Sequence, residues 1–181
     1  KQSLQAANFA LPFLTNTGEN DIVLFLISGG GSAAMESLIS NEISLKDLQL
    51  FYKTLITCGA SIVEINTIRK HLSSIKGGGL ALAAYPSKQI TLYVSDVPEG
   101  NDSCVASGPT MPDETTVNDM YNIIGRYQLE NGLPGSIVNL LHSKQIPETP
   151  KHTHQAFQHS EWHCIISNID ALKITKRYCE Q

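Results

Sequence analysis

The chain has 181 residues, which is enough for one α/β domain with a sizeable core. Lys and Arg number 13 against 17 Asp and Glu, and the resulting net charge of −4 argues against a nucleic-acid binder, which would carry a basic face. The 41% hydrophobic and 17% charged fractions are those of an ordinary soluble globular protein, and no apolar run approaches the ~18 residues that span a bilayer.

The predicted elements alternate between strands and helices. Helices are assigned where apolar residues recur at helical spacing, and strands where a continuous apolar run occurs. In chain order they are a helix over residues 3–14, a strand over 22–27, a short helix from 33, a helix over 44–59, a strand over 62–65, a helix over 67–75, a strand over 90–95, helices over 116–126 and 136–143, a strand over 163–167 and a helix over 170–179. This alternation without hairpin signals predicts an α/β fold, with a Rossmann-like, mostly parallel sheet and helices on both faces.

Local sequence signals add detail for two of these helices and for one loop. Ser44 and Asp47 resemble a capping box at the start of the second long helix, and Asp170 is expected to cap the last helix. Residues 146–160 are polar, with two prolines and several histidines, and predict a surface excursion. The histidines show no metal-ligand spacing, so we expect them to be solvated.

The most informative segment is the glycine-rich loop that follows the first strand. Gly29, Gly30 and Gly31 let the backbone approach a ligand closely, because no Cβ intervenes. The hydroxyls of Ser28 and Ser32 and the free N–H groups of a following helix would complete an anion cradle for phosphate or carboxylate. A tight turn in an α/β protein gives the same pattern, so the loop alone leaves both interpretations open.

A second candidate segment follows the strand over 90–95. Asp96 stands at its carboxyl end, where parallel sheets bind ligands, and it is well placed to accept a proton or to hold Mg²⁺. Asp102 is a second oxygen donor nearby, although an Asx turn or a helix cap explains both residues as well. Further along the same loop, Ser107 and the Gly-Pro step after it suit either a rigid ligand-binding loop or a structural turn.

A third candidate segment is basic and spans residues 66–76. It carries Arg69, Lys70, His71 and Lys76, and such cations bind carboxylates and phosphates. Helical spacing turns the apolar residues inward and leaves Arg69, Lys70 and Lys76 more exposed, so a merely solvated face is the alternative. Asn66 either caps the helix or contacts a ligand.

The four cysteines are widely spaced and form no C-x-x-C pair; they are Cys58, Cys104, Cys164 and Cys179. This pattern predicts small buried residues in a reducing cytoplasm rather than a disulfide framework or a zinc site. We recognise no signal peptide and expect a cytoplasmic protein.

Taken together, five segments resemble the glycerate 2-kinase family, whose C-terminal half is called the MOFRL domain. They are LISGGGSA at 26–33, NTIRKHLS at 66–73, IKGG at 75–78, SDV at 95–97 and ASGPT at 106–110. Five segments in one order are far more specific than any one of them. The resemblance covers residues 21–179, nearly the whole chain.

The resemblance implies a phosphotransferase that moves the γ-phosphoryl group of ATP to the 2-hydroxyl of D-glycerate, with a divalent cation such as Mg²⁺. That reaction asks mainly for positioning and charge neutralisation. The implied catalytic residues are Asp96, Arg69 and Lys76, and the implied metal ligands are Asp96 and Asp102. The implied binding residues are Ser28, Gly29, Gly30, Gly31, Ser32, Asn66, Lys70, His71, Asp102 and Ser107. The implied partners are D-glycerate and ATP, with neither nucleic acid nor membrane. Whether the protein forms a homodimer is left open.

The family has more than this chain shows. It includes an earlier strand–helix region with a candidate catalytic Lys, and the whole C-terminal domain. Residues 1–181 are therefore expected to form the core of the Rossmann-like N-terminal domain and to be inactive alone. Residues 34–36 depart from the family, in which more apolar residues and a proline are expected.

Two other interpretations compete with the kinase. One is a module that binds a nucleotide or a small acid without chemistry, and the other is a structural half of a larger protein. Some relatives were labelled hydroxypyruvate reductases, but no G-x-G-x-x-G followed by a ribose-binding acid is present to support that name.

Overall fold

The computed structural model describes residues 1–98 and 100–180. Its elements, in chain order, are α1 (Gln2–Thr15), β1 (Ile22–Ile27), α2 (Gly31–Ala34), α3 (Leu45–Thr57), α4 (Ile62–His71), α5 (Gly79–Ala84), β2 (Lys88–Val94), α6 (Val117–Arg126), α7 (Gly135–Ser143), β3 (Ser160–Ile166) and α8 (Asn168–Cys179). Short 3₁₀ segments span Asp102–Ser107, Leu129–Asn131 and Gln155–Phe157.

The three strands form one parallel sheet in the order β1-β2-β3. In the middle of the sheet Phe25 pairs with Thr91, which pairs with Trp162. Helices connect the strands, because a parallel pair needs a long crossover rather than a hairpin. The predicted α/β class and parallel sheet are confirmed.

The two faces of β1 differ in burial. Helices α1 and α5 cover one face, where Val23 and Phe25 are buried. On the other face Ile22, Leu24 and Leu26 are between 55% and 75% exposed. A run that is apolar on both faces is typical of a strand in the interior of a parallel sheet, although one face of β1 is exposed here.

A second core lies among helices α3, α4, α6 and α7. It buries Phe51 and Leu55 of α3, Ile68 of α4, Ile124 of α6 and Ile137 of α7, each no more than 1% exposed. Complete burial of such side chains stabilises the fold by roughly 1.5–3 kcal/mol each. This core therefore fixes α4, which carries the basic segment, firmly within the domain.

Residues 62–65 are the first turn of α4, and the strand predicted there is wrong. The Ser61 hydroxyl accepts a hydrogen bond from the Glu64 N–H, and the Glu64 carboxylate accepts one from the Ser61 N–H. This capping box starts a helix. A four-residue segment with three apolar residues fits a strand and a helix equally well, so its period could not decide between them.

Two predicted caps are realised in a modified form. Ser44 caps α3 by accepting a hydrogen bond from the Asp47 N–H, but the Asp47 carboxylate accepts one from Ser136 of α7 instead of closing a box. The cap of α8 is Ser167 rather than Asp170, and Asp170 completes the capping box from the first turn.

The predicted surface excursion over 146–160 is wrong for part of its length. Thr149 and Phe157 are buried, and the Phe157 ring packs against Trp162 of β3 at a centroid distance of 6.0 Å. The 3₁₀ turn around Phe157 also contacts α5, a helix that the sequence did not predict. Its six residues are too few to show a helical period.

The four cysteines are free thiols. Cys164 and Cys179 are exposed and Cys58 and Cys104 only partly buried, so the prediction that the cysteines are buried is wrong. Across the residues that the structure describes, no helix combines the length and the apolar character needed to cross a membrane.

Candidate active site

The glycine loop and Asp96 are in direct contact at the carboxyl ends of β1 and β2. A Cβ added at Gly29 would lie 1.8 Å from Oδ2 of Asp96, far inside any allowed separation. Only a residue without a side chain lets the carboxylate approach the loop this closely. The contact arises because Ile27 and Tyr93 are paired, so the segments that follow them emerge side by side.

A ring of hydrogen bonds joins the glycine loop to α4 and to the 3₁₀ segment. Arg69 donates from Nη2 to the Ser32 hydroxyl at 2.6 Å and from Nη1 to Oδ1 of Asn66 at 3.2 Å. Ser107 donates to the same Asn66 oxygen at 3.2 Å, and its hydroxyl lies 2.9 Å from that of Ser32. Four side chains that the sequence placed in three separate segments are thus brought together.

The backbone beside this ring is strained. Ala106 and Ser107 have φ angles of 51° and 65°, which are left-handed values that cost non-glycine residues of order 1–3 kcal/mol each. The Ala106 side chain packs against the loop, since a Cβ at Gly31 would lie 3.1 Å from it. No sequence signal predicts that two successive residues adopt this conformation.

Arg69 has no carboxylate partner within 4.0 Å among the described residues. Burial lowers the pKa of its guanidinium, and the more distant charge of Glu36 offsets this only in part. The Arg69 Nε is buried and has no hydrogen-bond partner among the described residues. A largely buried cation whose hydrogen-bond partners are neutral favours an anion in the space that it borders.

These groups line one cleft with a volume of about 340 Å³. Its polar lining consists of the Gly29 backbone and the side chains of Ser32, Asn66, Arg69, Asp96, Asn101 and Ser107. The rest is mostly apolar and includes Ile62 and Val63 from the first turn of α4. A small number of convergent polar groups in a mostly apolar cleft is typical of a small-molecule site.

Lys76 lies outside this cleft and is 2% exposed, so its predicted exposure is wrong. Its Nζ is 2.7 Å from Oε2 of Glu36, and the other carboxylate oxygen, Oε1, accepts a hydrogen bond from the Ser73 hydroxyl. Burial lowers the pKa of the Lys76 ammonium, and the Glu36 carboxylate counteracts that shift. Lys76 instead borders a second cavity of about 420 Å³, which Ser28 and Gly30 also line. Glu36, part of the segment that departs from the family pattern, is therefore the counter-ion of a buried lysine.

Lys70 and His71 also lie away from the cleft. Lys70 is 5% exposed, contrary to its predicted exposure, and its Nζ is 3.2 Å from Oδ1 of Asp113. His71 is fully buried, with Nδ1 2.9 Å from the Thr67 carbonyl oxygen and Nε2 3.6 Å from the Glu148 carboxylate. Lys70 thus joins α4 to the segment around Asp113, and neither Lys70 nor His71 lines the cleft.

Asp102 and Asp96 occupy different pockets. Asp102 lines a pocket of about 170 Å³ together with Cys164 and Ser167. Burial, and then the charge of Asp102, raises the pKa of Tyr93 to about 12, which places the carboxylate beside that hydroxyl. Within residues 1–98 and 100–180, no three His, Cys, Asp or Glu side chains are close enough together to hold a metal ion. The assignment of Asp96 and Asp102 as ligands of one metal ion therefore stays a prediction.

Comparison with known families finds one match over most of the chain. The model of a domain of unknown function, DUF4147, matches residues 1–142. The chain is 38% identical over 152 residues to a D-glycerate 2-kinase of Thermotoga maritima, covering 84% of this chain and 35% of the relative. It is 44% identical over 151 residues to a putative hydroxypyruvate reductase of Agrobacterium vitis, covering 83% and 33%.

Solved structures resemble the whole fold. The crystal structure of a glycerate kinase from Thermotoga maritima superposes with a TM-score of 0.81 at 34% identity, covering 98% of this chain and 40% of that one. A protein from Pyrococcus horikoshii superposes with a TM-score of 0.83 at 38% identity and the same coverage. The chain spans about a third of the length of the curated relatives that it matches.

Proposed function

Because the chain belongs to the DUF4147 family, the N-terminal domain of glycerate 2-kinases, we propose that the full-length protein transfers the γ-phosphoryl group of ATP to the 2-hydroxyl of D-glycerate. In this reaction the hydroxyl oxygen forms a bond to the γ-phosphorus, the bond from that phosphorus to the bridging oxygen breaks, and ADP leaves. Both substrates are anions. The product is 2-phosphoglycerate, the outcome that the names of the kinase relatives support.

One observation carries this proposal. Arg69, a partly buried cation without a carboxylate partner among the described residues, borders the same cleft as Asp96. A guanidinium binds a planar carboxylate or a phosphate through two parallel hydrogen bonds. An exposed carboxylate next to it is suited to a proton that must leave a hydroxyl group.

In our proposal the residues in and around the cleft have different roles. Arg69 and the N–H groups of the glycine loop bind the anionic groups. Asp96 orients the 2-hydroxyl and accepts its proton, and its contact with Gly29 fixes where the carboxylate stands. Lys76 and Glu36 form a buried ion pair without net charge, so we assign Lys76 a role in holding the segment after the glycine loop rather than in touching a substrate.

Transfer from ATP implies Mg²⁺, and the cleft fits this ion. Kinase sites commonly hold Mg²⁺ with one or two carboxylates, phosphate oxygens and water, and Asp96 provides one exposed carboxylate. When bound, the ion neutralises charge on the phosphates. If Asp96 is its ligand, Asp96→Asn raises the Mg²⁺ concentration at half-maximal rate; if Asp96 only accepts the proton, kcat falls without that rise.

We further propose that the 181-residue chain does not turn over glycerate alone. It spans about a third of its curated relatives, and the apolar side chains of Ile22, Leu24 and Leu26 on one face of the sheet are exposed. Both observations support a site that other parts of the protein complete. Turnover by the isolated chain at the rate of the full-length protein would contradict this proposal.

The test is an assay of the full-length protein with ATP and D-glycerate, with the product identified by phosphorus NMR. We expect 2-phosphoglycerate to form. Asp96→Asn should lower kcat by about 10²- to 10⁴-fold. Arg69→Lys should raise KM, because lysine retains the positive charge but cannot donate two parallel hydrogen bonds to one anion.

Two exposed positions give matched controls. Glu42→Gln makes the same carboxylate-to-amide change as Asp96→Asn, and Arg177→Lys the same change as Arg69→Lys, both away from the cleft. Absence of any glycerate-dependent release of ADP would refute the kinase. Retained ligand affinity without turnover in the wild type would favour a binding module instead.

A further inference from the structure

We propose that Tyr52 is a positioning residue for Arg69, a role that rests on the proposed function. The Arg69 guanidinium carbon lies 5.0 Å from the centroid of the Tyr52 ring. Tyr52 belongs to α3 and Arg69 to α4, so the contact joins two helices. From its spacing in the sequence, Tyr52 is simply one of the apolar residues of its helix.

The stacking supplies what the other contacts of Arg69 lack. Among the residues that the structure describes, its hydrogen-bond acceptors, Ser32 and Asn66, are neutral, and its Nε has no partner. Burial therefore acts against the charge, as the lowered pKa of Arg69 indicates. The negative face of an aromatic ring attracts a guanidinium, and this attraction strengthens when the pair is shielded from water.

The ring also restricts the orientation of the guanidinium. Two hydrogen bonds hold the Nη atoms, and the aromatic face limits rotation of the plane about them. An arginine whose guanidinium plane is already oriented loses less conformational entropy when it binds a carboxylate or a phosphate. Tyr52 does not line the cleft, so its effect on a substrate passes through Arg69.

These contacts define the expected signature of Tyr52 variants. Replacing the ring with an aliphatic side chain should weaken substrate binding and leave the chemical step intact. We expect Tyr52→Leu to raise the KM of the substrate that Arg69 binds by about tenfold, with kcat within about twofold. Tyr52→Phe should match the wild type, because none of the described residues hydrogen-bonds the Tyr52 hydroxyl.

The matched control is Tyr121→Leu. Tyr121 packs against the same helical core as Tyr52, but its hydroxyl bonds to the Leu141 carbonyl oxygen and it makes no contact with Arg69. Its substitution tests whether loss of any ring from that core changes KM. We expect a lower melting temperature and an unchanged KM for this variant.

The decisive experiment is a double-mutant cycle in the full-length protein, with KM and kcat measured for D-glycerate and for ATP. In an Arg69→Gln background Tyr52→Leu should have no further effect on KM, because the guanidinium on which it acts is gone. The proposal is overturned if Tyr52→Leu leaves KM unchanged, if Tyr52→Phe is equally impaired, if Tyr121→Leu gives the same rise, or if the effects of Tyr52→Leu and Arg69→Gln add.

A failure of the kinase proposal would be recognised separately. In that case the wild type shows no transfer to glycerate, and the same cycle is run by calorimetry with inorganic phosphate as the probe. Tyr52→Leu should then weaken phosphate binding about tenfold and only when Arg69 is present. Equal phosphate affinities in all variants, or phosphate binding that does not depend on Arg69, would overturn the role of Tyr52.

Discussion

Gly29→Ala separates the geometry of the cleft from the stability of the fold. The added Cβ would lie 1.8 Å from Oδ2 and 2.3 Å from Cγ of Asp96, whereas ordinary contacts begin at 3.4 Å. The carboxylate must therefore retreat by roughly 1.6 Å. Because Asp96 is an exposed and flexible side chain, it can do so without disturbing the backbone.

The expected effect is large on catalysis and small on stability. A displacement of about 1 Å at a reacting group costs about 10²-fold in rate, which corresponds to about 2.7 kcal/mol of transition-state stabilisation. The free energy of unfolding should change by no more than about 1 kcal/mol, since alanine also restricts the unfolded chain.

The matched control is Gly30→Ala. A Cβ at Gly30 meets nothing within 4 Å, its φ and ψ angles of −67° and −13° suit alanine, and it borders the second cavity rather than the cleft. The assay is kcat for glycerate phosphorylation by the full-length protein, together with urea unfolding. Wild-type kcat in Gly29→Ala, or an equal loss in Gly30→Ala, would refute the account of Asp96.

Other variants test the buried ion pair and the backbone geometry outside the cleft. Asp113→Asn should destabilise the protein by about 3–5 kcal/mol in urea at pH 7, since it leaves Lys70 buried without its partner. Burial raises the pKa of Asp113, but the Lys70 charge and the hydrogen bonds from Thr115 and Lys70 together outweigh burial and hold the pKa below its ordinary 3.8. The stabilisation is thus complete above pH 3.8, and the difference from the variant should shrink as pH falls below it. Gly108→Ala, whose Cβ would lie 2.3 Å from the Ser103 carbonyl oxygen, should lower the melting temperature. Gly125→Ala, with open space in α6, should raise it. A reversed order of these two glycine variants would contradict the backbone geometry.

The sequence predicts those elements whose signal is local and complete. The strand over 22–27 has the same bounds in the structure, because its β-branched run stops at a polar residue on one side and at the glycine loop on the other. The contact between the glycine loop and Asp96 could also be predicted from the sequence. Carboxyl ends of parallel strands meet at one edge of a sheet, so two polar loops at such ends are expected to be neighbours.

Features that depend on distant partners could not be predicted. The helical spacing predicted that Lys70 and Lys76 are exposed, because such spacing takes account only of neighbours along the same helix. Their carboxylate partners, Asp113 and Glu36, stand 43 and 40 residues away in the chain. Asp102 was grouped with Asp96 because the two residues are close in sequence, but in the structure they line different pockets.

The most direct test of the central claim is a crystal structure of the full-length protein with ADP, Mg²⁺ and D-glycerate. The account predicts an anionic group within hydrogen-bond distance of the Arg69 guanidinium and of the glycine-loop N–H groups. It also predicts that the Asp96 carboxylate lies within reach of the glycerate 2-hydroxyl, directly or through Mg²⁺. Substrates bound only in the cavity beside Lys76, with the cleft of Arg69 and Asp96 empty, would contradict it.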